Sequence, residues 1–488
     1  MSIASALSNA LSGLGAATRA TELISNNVAN ALTPGYSRRT LELSAAQVNG
    51  AGAGVAIAGV RVAQDPVTTS ERRATDAELG YEQALFDAMD RIALAIGEPG
   101  DARALPERAA ALENSLLAAA NDPASVSRQA NVVNAAVELA DRINAITLEY
   151  RQIRMDSDAE IARQVATVNS ALTDIADLNE QIQVRLAARG DASGLIDKRS
   201  QLVDSIASII PVRTATREGG QLAVFSRGGA ILLDGGTPAE LGFSPSGIIT
   251  QSMALGAGLS GLTVNGRAMA IGTGSDSALL DGGSLSALFS IRDTVVPEAY
   301  NRIDAFAADL AGRFQDPAVD PTLAVGDAGL FTDSGLAFIS ANQSGLASRI
   351  VVNAAVDPDQ GGAEWRIRDG INATAQGANS DASILAALLD RTRELRVAPA
   401  GFGNATAGSP ADLASLLAGT SATEAERASQ RVARANGYRQ GLVEAESATM
   451  GVDTDVEMQE LLLAEQAYSA NARVITVVDS MIRRLLEI

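Results

Sequence analysis

The sequence predicts a mainly α-helical protein with a β-rich insertion. It is expected to be elongated and multi-domain, with paired coiled-coil terminal helices, a long helical rod domain and an outer β/mixed domain. Three observations carry that expectation. Both extremities bear an apolar stripe at coiled-coil spacing, residues 124–189 hold neither glycine nor proline, and residues 212–283 are glycine-rich with short apolar runs between turns. The length of 488 residues corresponds to about three domains, enough for a sizeable core.

In the first element, Ile3, Leu7, Ala10, Leu14, Ala17, Thr21, Ile24 and Val28 alternate steps of four and three, which places them on one seam of an α-helix with Thr21 its polar member. Gly13 and Gly15 each cost about 1 kcal/mol relative to alanine, and an isolated helix of this length is marginal in water. Burial of one leucine contributes about 1.5–3 kcal/mol, so docking outweighs those penalties. The helix is expected to be loose alone and wound in an assembly. Asn30, Thr33, Pro34, Gly35 and Tyr36 end it, because a proline–glycine pair cannot continue the helical ladder and favours a turn.

Residues 39–43 and 55–62 alternate as short strands around the glycine-rich stretch 50–54, which reads as a hinge-like connection. A helix follows over 67–96, ended by Pro99 and Gly100. Asp122 and Pro123 read as an N-cap with proline at the first helical position. The stretch 124–189 would extend about 100 Å if wholly helical, with a break expected near 156–158. Ile161, Val165, Val168, Leu172, Ile175, Ile182 and Leu186 form the seam of its second half. Another helix spans 195–210, up to Pro211.

Within 212–283, residues 222–225, 230–233 and 262–264 read as strands, and Asn265-Gly266 is a hairpin signal. Helix returns over 285–314. Residues 316–365 are mixed, with strands expected at 350–352 and 365–367, and 398–410 is a glycine-rich loop. Ser421 and Glu424 fit a capping box opening a helix towards Met450, and Thr454 and Glu457 fit a second one opening the last helix. On that helix Leu461, Ala464, Tyr468, Asn471, Ile475, Val478, Ile482 and Leu485 repeat the seam. The expected division is 1–36 with 452–488 as a terminal coiled-coil core domain, 37–211, 284–315 and 380–451 as a helical rod domain, 212–283 as a β-rich outer insertion and 316–379 as a mixed outer segment.

Composition excludes much chemistry. A formal charge of −20 with Lys198 as the only lysine argues against nucleic acid and anionic membrane as partners. Histidine and cysteine are absent, which removes Ser-His and Cys-His nucleophiles, a histidine base and Cys/His metal sites. No catalytic, cofactor or metal residues are therefore expected, and the chain tolerates either redox compartment. The early apolar positions are interrupted by Ser5, Ser8, Asn9 and Ser12, so no secretory signal is expected, nor is any run long enough to cross a bilayer. Gly256, Gly258 and Gly261 match dinucleotide spacing, but a hairpin follows where a helix is required. Paired carboxylates such as Asp316 and Asp320 keep an alternative open, a secreted carboxylate-dependent glycosidase with coiled-coil arms. The polar face of the first helix is Ser, Asn and Thr with no aromatic before Tyr36, which suits docking to protein better than lying on a membrane. Ordinary core packing gives the same periodicity, but two stripes at opposite ends favour assembly, with Ile3, Leu7, Leu14, Ile24, Val28, Leu461, Tyr468, Ile475, Val478, Ile482 and Leu485 as its interface.

Ser25-Asn26-Asn27-Val28-Ala29-Asn30 and Thr33-Pro34-Gly35-Tyr36-Ser37-Arg38 resemble the N-terminal signature of the bacterial flagellar rod, hook and hook-associated proteins. Gly451-Val452-Asp453, Glu457-Met458 and residues 466–475 look like the C-terminal end of the hook-associated members, and residues 195–202 and 285–314 are similar to their middle. The resemblance implies a non-enzymatic structural subunit at the hook–filament junction, exported unfolded through the flagellar type III channel. Its implied partners are hook protein, hook-associated protein 3, further copies of itself in a ring or tube layer, and an export chaperone on the C-terminal helix.

Overall fold

The computed structural model describes residues 3–33, 35–48, 51–98, 100–271, 280–403 and 407–486. Pro34, Gly50 and Pro99, which the sequence marks as turn and breaker positions, lie outside them. The chain is mainly helical with β-rich insertions and long helices at both ends.

Helix α1 (Ile3–Ala29) leads into a turn and then into β1 (Arg39–Val48) and β2 (Ala51–Val62). These strands pair antiparallel from Arg39↔Val62 to Val48↔Ala51, with register shifts after Glu42 and Ala45. The expected short strands about a hinge are thus one long hairpin, because the alternating pattern continues through the small residues beside the turn. Helix α2 (Pro66–Ile96) is capped by Asp65, whose carboxylate accepts the Thr68 N–H at 3.1 Å while Pro66 takes the first helical position.

Helices α3 (Leu105–Asn121) and α4 (Val126–Ala187) are joined by a turn in which the Ser125 N–H donates to the Asp122 carbonyl. Pro123 therefore sits in the connection and does not open the helix. Helix α4 runs 62 residues without the expected break near 156–158. Asp158, within the stretch where the break was expected, is a buried partner of Arg292. After α5 (Ser193–Ala207), where Lys198 is exposed, β3 (Val212–Thr216), β4 (Leu222–Ser226), β5 (Ile231–Asp234) and β6 (Thr237–Pro238) form an antiparallel sheet in sequence order. Strands Leu262–Val264 and Arg267–Met269 turn at Asn265-Gly266, both at positive φ as a type I′ hairpin requires.

Helices α6 (Gly283–Ser290) and α7 (Val296–Phe314) are continuous through a π turn at Ile291–Val295. Pro297 lacks an N–H and its ring would meet the carbonyl of the preceding turn, and a wider turn relieves both faults. Strands Phe331–Asp333 and Ile350–Val352 pair antiparallel. The strand expected at 365–367 is instead α8 (Arg366–Asp369), closed by Gly370 N–H to the Arg366 carbonyl at 2.9 Å. Alternating polar and apolar residues over so short a run fit one helical turn equally well. Helix α9 (Ser383–Arg393) follows, and the expected loop at 398–410 contributes Ala407–Gly408 to a small strand pair with Arg396–Val397 just before it.

Helix α10 (Pro410–Met450) starts well before Ser421. Its reciprocal cap is made by Ser409 and Asp412, each accepting the other's backbone N–H. Ser421 is buried within the helix, and Glu424 receives both Arg302 terminal nitrogens at 3.0 Å. Helix α11 (Thr454–Leu486) is capped by Asp453, which accepts from Asp455 and Val456. The second expected capping box is thus replaced by Asp453, and Glu457 points elsewhere.

The residues cluster into two compact units. The first comprises Met1–Leu79, Ala166–Leu241 and Arg434–Ile488, and the second Gly80–Val165 and Gly242–Ala433. In the second, Arg154 and Arg292 lie fully buried. The Arg154 fork donates to the carbonyls of Arg292, Thr250 and Met253 at 2.8–2.9 Å, and Arg292 meets Asp158 at 2.6 Å and lies over the Phe289 ring. Guanidinium groups thereby satisfy backbone acceptors within this core. No described helix is long and apolar enough to cross a membrane.

Candidate assembly interface

In the first unit α1 packs along α11 and against the β1–β2 hairpin. Small residues permit the approach. At Gly13 an added Cβ would lie 2.7 Å from the Asn471 amide nitrogen, so this glycine, costly to an isolated helix, is a contact point. At Gly54 (φ +95°) a Cβ would lie 2.0 Å from Ser12 Oγ and 3.1 Å from Asn9 Cα, while Ser12 Oγ accepts the Val55 N–H at 3.1 Å.

A buried polar latch fixes the register of these elements. Asn27, 1 % exposed on α1, donates to the Glu457 carboxylate at 2.9 Å and to the Arg39 carbonyl at 2.8 Å, and its own oxygen accepts from the Arg39 N–H and the Tyr36 hydroxyl. Glu457, fully buried, also receives Arg38 Nε at 2.6 Å, while Arg38 Nη2 reaches Glu460. The Glu457 hydrogen bond, opposed by burial, holds the Arg38 guanidinium more firmly charged. Arg39 lies over the Tyr36 ring and pairs with Asp197 at 2.7 Å. Burial pushes the Asp197 carboxyl and the Tyr36 hydroxyl up, with Arg39 opposing in each case. A second network joins α2, α5 and α10: Arg72 donates to Glu446, Asp76 and Asp204, and Arg73 also donates to Asp204.

The expected interface residues are unevenly placed. Ile24 and Val478 are buried, Ile3, Leu7, Leu14, Leu461 and Ile475 are half-buried, and Val28, Tyr468, Ile482 and Leu485 are exposed. In the turn, the Thr33 N–H donates to the Asn30 carbonyl, Tyr36 N–H donates to the Thr33 carbonyl, and Gly35 takes φ +75°; Pro34 lies outside the described residues. Asn27, Arg38 and Glu457 were not singled out from the sequence as interface residues, because periodicity detects apolar faces only. Their one sequence signal is membership of the two terminal motifs.

Periodicity of the inner seam also hides a second stripe on α11. Val456, Leu463, Val474, Val477, Met481 and Leu485 follow a helical face with Ala467 and Ala470 between them, and all are exposed. On the other side of α11 a groove of about 970 Å³ lies between it and α1, lined by Thr18, Thr21, Ser25, Asn26, Ala29, Tyr468 and Ser469 and edged by Glu22 and Glu465. Among the described residues no group of three or more acidic, histidine or cysteine side chains could hold a metal ion.

Three stretches match known protein families. Residues 7–36 match "Flagella basal body rod protein", 89–317 "Flagellar hook-associated protein FlgK helical domain" and 447–488 "Flagellar basal body rod FlgEFG protein C-terminal". The chain is 27 % identical over 336 residues to flagellar hook-associated protein 1 of Escherichia coli (strain K12), covering 67 % of this chain and 59 % of that protein. It is 28 % identical over 253 residues to flagellar hook-associated protein 1 of Salmonella typhimurium, covering 50 % and 45 %. The matched part therefore spans less than two thirds of the length of these relatives. The solved hook junction protein FlgK of Burkholderia pseudomallei overlaps 55 % of this chain and 47 % of its own at 20 % identity and a TM-score of 0.43, a likeness too weak to build on.

Proposed function

The chain is related to the flagellar rod, hook and hook-associated proteins, and from that premise we propose that it is an extracellular structural subunit resembling hook-associated protein 1 and joining hook to filament. In this reading the chain leaves the cell by type III export. The terminal helices then fold as they polymerise. Hook protein, hook-associated protein 3, neighbouring copies and an export chaperone on α11 are its partners. The observation that carries the reading is the pairing of the two terminal motifs through Asn27, Arg38 and Glu457, beside an α11 stripe left exposed. A subunit built this way has one apolar face satisfied within the chain and another available to neighbours.

The glycosidase alternative has no observation in its favour. Asp316 is paired with Arg391, and Asp320 accepts the N–H groups of Thr322 and Ile371, so both candidate carboxylates hold local structure. Deletion of residues 455–488 tests the proposal in flagellated cells. The expected outcome is secreted filament protein that fails to stay attached. Normal filament retention by the deleted chain would overturn the reading.

A further inference from the structure

We propose that a partly enclosed cavity in the second unit, walled by α2, α7 and α10, is a binding site for a short alkyl primary ammonium. The cavity has a volume of about 90 Å³. Met89 and Ile92 on α2, Val295 of the π turn and Ala299 on α7 form its apolar walls, and Glu298, Arg302, Ser421 and Glu424 supply its polar lining. The spacings place each group on one helix face. Met89 and Ile92 are one turn apart, as are Ser421 and Glu424, and Val295, Glu298, Ala299 and Arg302 fall at i, i+3, i+4 and i+7.

Ser421 is 3 % exposed and lines the cavity, yet its hydroxyl makes no hydrogen bond among the described residues. Ser415 and Thr423 on the same helix donate theirs to the carbonyl four residues back, at 2.8 and 2.7 Å. A buried hydroxyl left unpaired is destabilising unless something in the cavity meets it. Glu298 is exposed at the rim and forms no hydrogen bond or salt bridge among the described residues. Glu424 is engaged, its two oxygens receiving the terminal nitrogens of Arg302 at 3.0 Å. That hydrogen bonding, opposed by burial and assisted by the charges of Glu424 and Glu298, holds Arg302 firmly charged. Two carboxylates against one guanidinium leave the lining with a net negative charge, which selects a cation. A metal ion would need about six oxygens, far more than Glu298 and Ser421 offer. About three waters would fit by volume, but each needs two to four polar partners and the apolar walls supply none. A primary ammonium has three N–H donors, which serve Glu298, Ser421 and solvent at the rim, while a chain of about three carbons fills the space against Met89, Ile92, Val295 and Ala299.

The probe is n-propylammonium, titrated into the full-length chain at constant ionic strength and followed by ligand-observed NMR, with n-propanol, propionate and tetramethylammonium as controls. Saturable binding is expected for n-propylammonium, about tenfold tighter than for n-propanol. None is expected for propionate, which carries the wrong charge, or for tetramethylammonium, which has no N–H to donate. Glu298→Gln should weaken binding about tenfold and Ser421→Ala about threefold, and circular dichroism confirms that each variant keeps its helix content. The bound ligand should also raise hydrogen-exchange protection in the turns of α2, α7 and α10 that line the cavity, because it stabilises only their folded arrangement. No saturable binding to the folded chain, equal binding of n-propanol, or an affinity unchanged by Glu298→Gln would each overturn the proposal.

Discussion

Glu457 shows how one side chain can hold a register. It is fully buried, receives Asn27 and Arg38, and is replaced as a helix cap by Asp453. Removing one partner of a buried ion pair leaves the other desolvated, so Glu457→Ala should cost about 3 kcal/mol, softened by the remaining Arg38–Glu460 contact. Hydrogen exchange is the suitable measurement: protection should fall at the first turn of α11 and the last turn of α1 and persist in the second unit. Asp304 supplies a pH test. Burial pushes its carboxyl up despite hydrogen bonds from Gly345, Ala347 and Gln251. A carboxyl raised above its unfolded pKa of about 3.9 binds its proton more tightly when folded, so its contribution falls as pH rises through the folded value. Asp304→Asn should flatten that part of the unfolding profile, and an unchanged slope would count against this assignment. Such sites were hidden in the sequence, where 58 acidic residues look alike until burial and partners distinguish them.

Among the elements, those with a long period and a clear stop were legible: α1 to its turn, α2, the α6–α7 helix and the Asn265-Gly266 hairpin all lie close to where the sequence puts them. Starts and breaks were less so. Ser421-Ala422-Thr423-Glu424 has the letters of a capping box, yet it sits inside α10 because Ser421 packs inward and Glu424 serves Arg302. The acidic residues at 156–158 suggested a break, yet α4 continues because Arg292, distant in sequence, neutralises Asp158. The hairpin's attachment to α1 was also invisible, since it depends on what Gly54 lacks. Gly54→Ala combines a disfavoured φ with an overlap onto Ser12 Oγ and a tight approach to the Asn9 backbone, and should cost about 1–3 kcal/mol. Urea unfolding followed at the hairpin, for example through a fluorophore on β2, checks this; equal midpoints would refute it.

For the whole molecule, the expectation of a mainly helical chain with β-rich insertions holds. What periodicity could not give was the sharing of apolar surface at the ends: the inner seam of α11 meets α1 while its outer stripe stays open. A chain lacking residues 455–488 should therefore lose hydrogen-exchange protection throughout α1 and the hairpin, while the Arg154–Arg292 core of the second unit stays protected. Loss of protection spreading equally through both units would contradict this.

The Asn27–Glu457 contact joins residues 430 positions apart. A copy whose synthesis stops before Glu457 can never make that contact, however well its interior folds, and its first helix stays uncovered. The latch thus makes the order of the first helix depend on the last: a copy lacking Glu457 should be cut by proteases at its N-terminus sooner than the full chain.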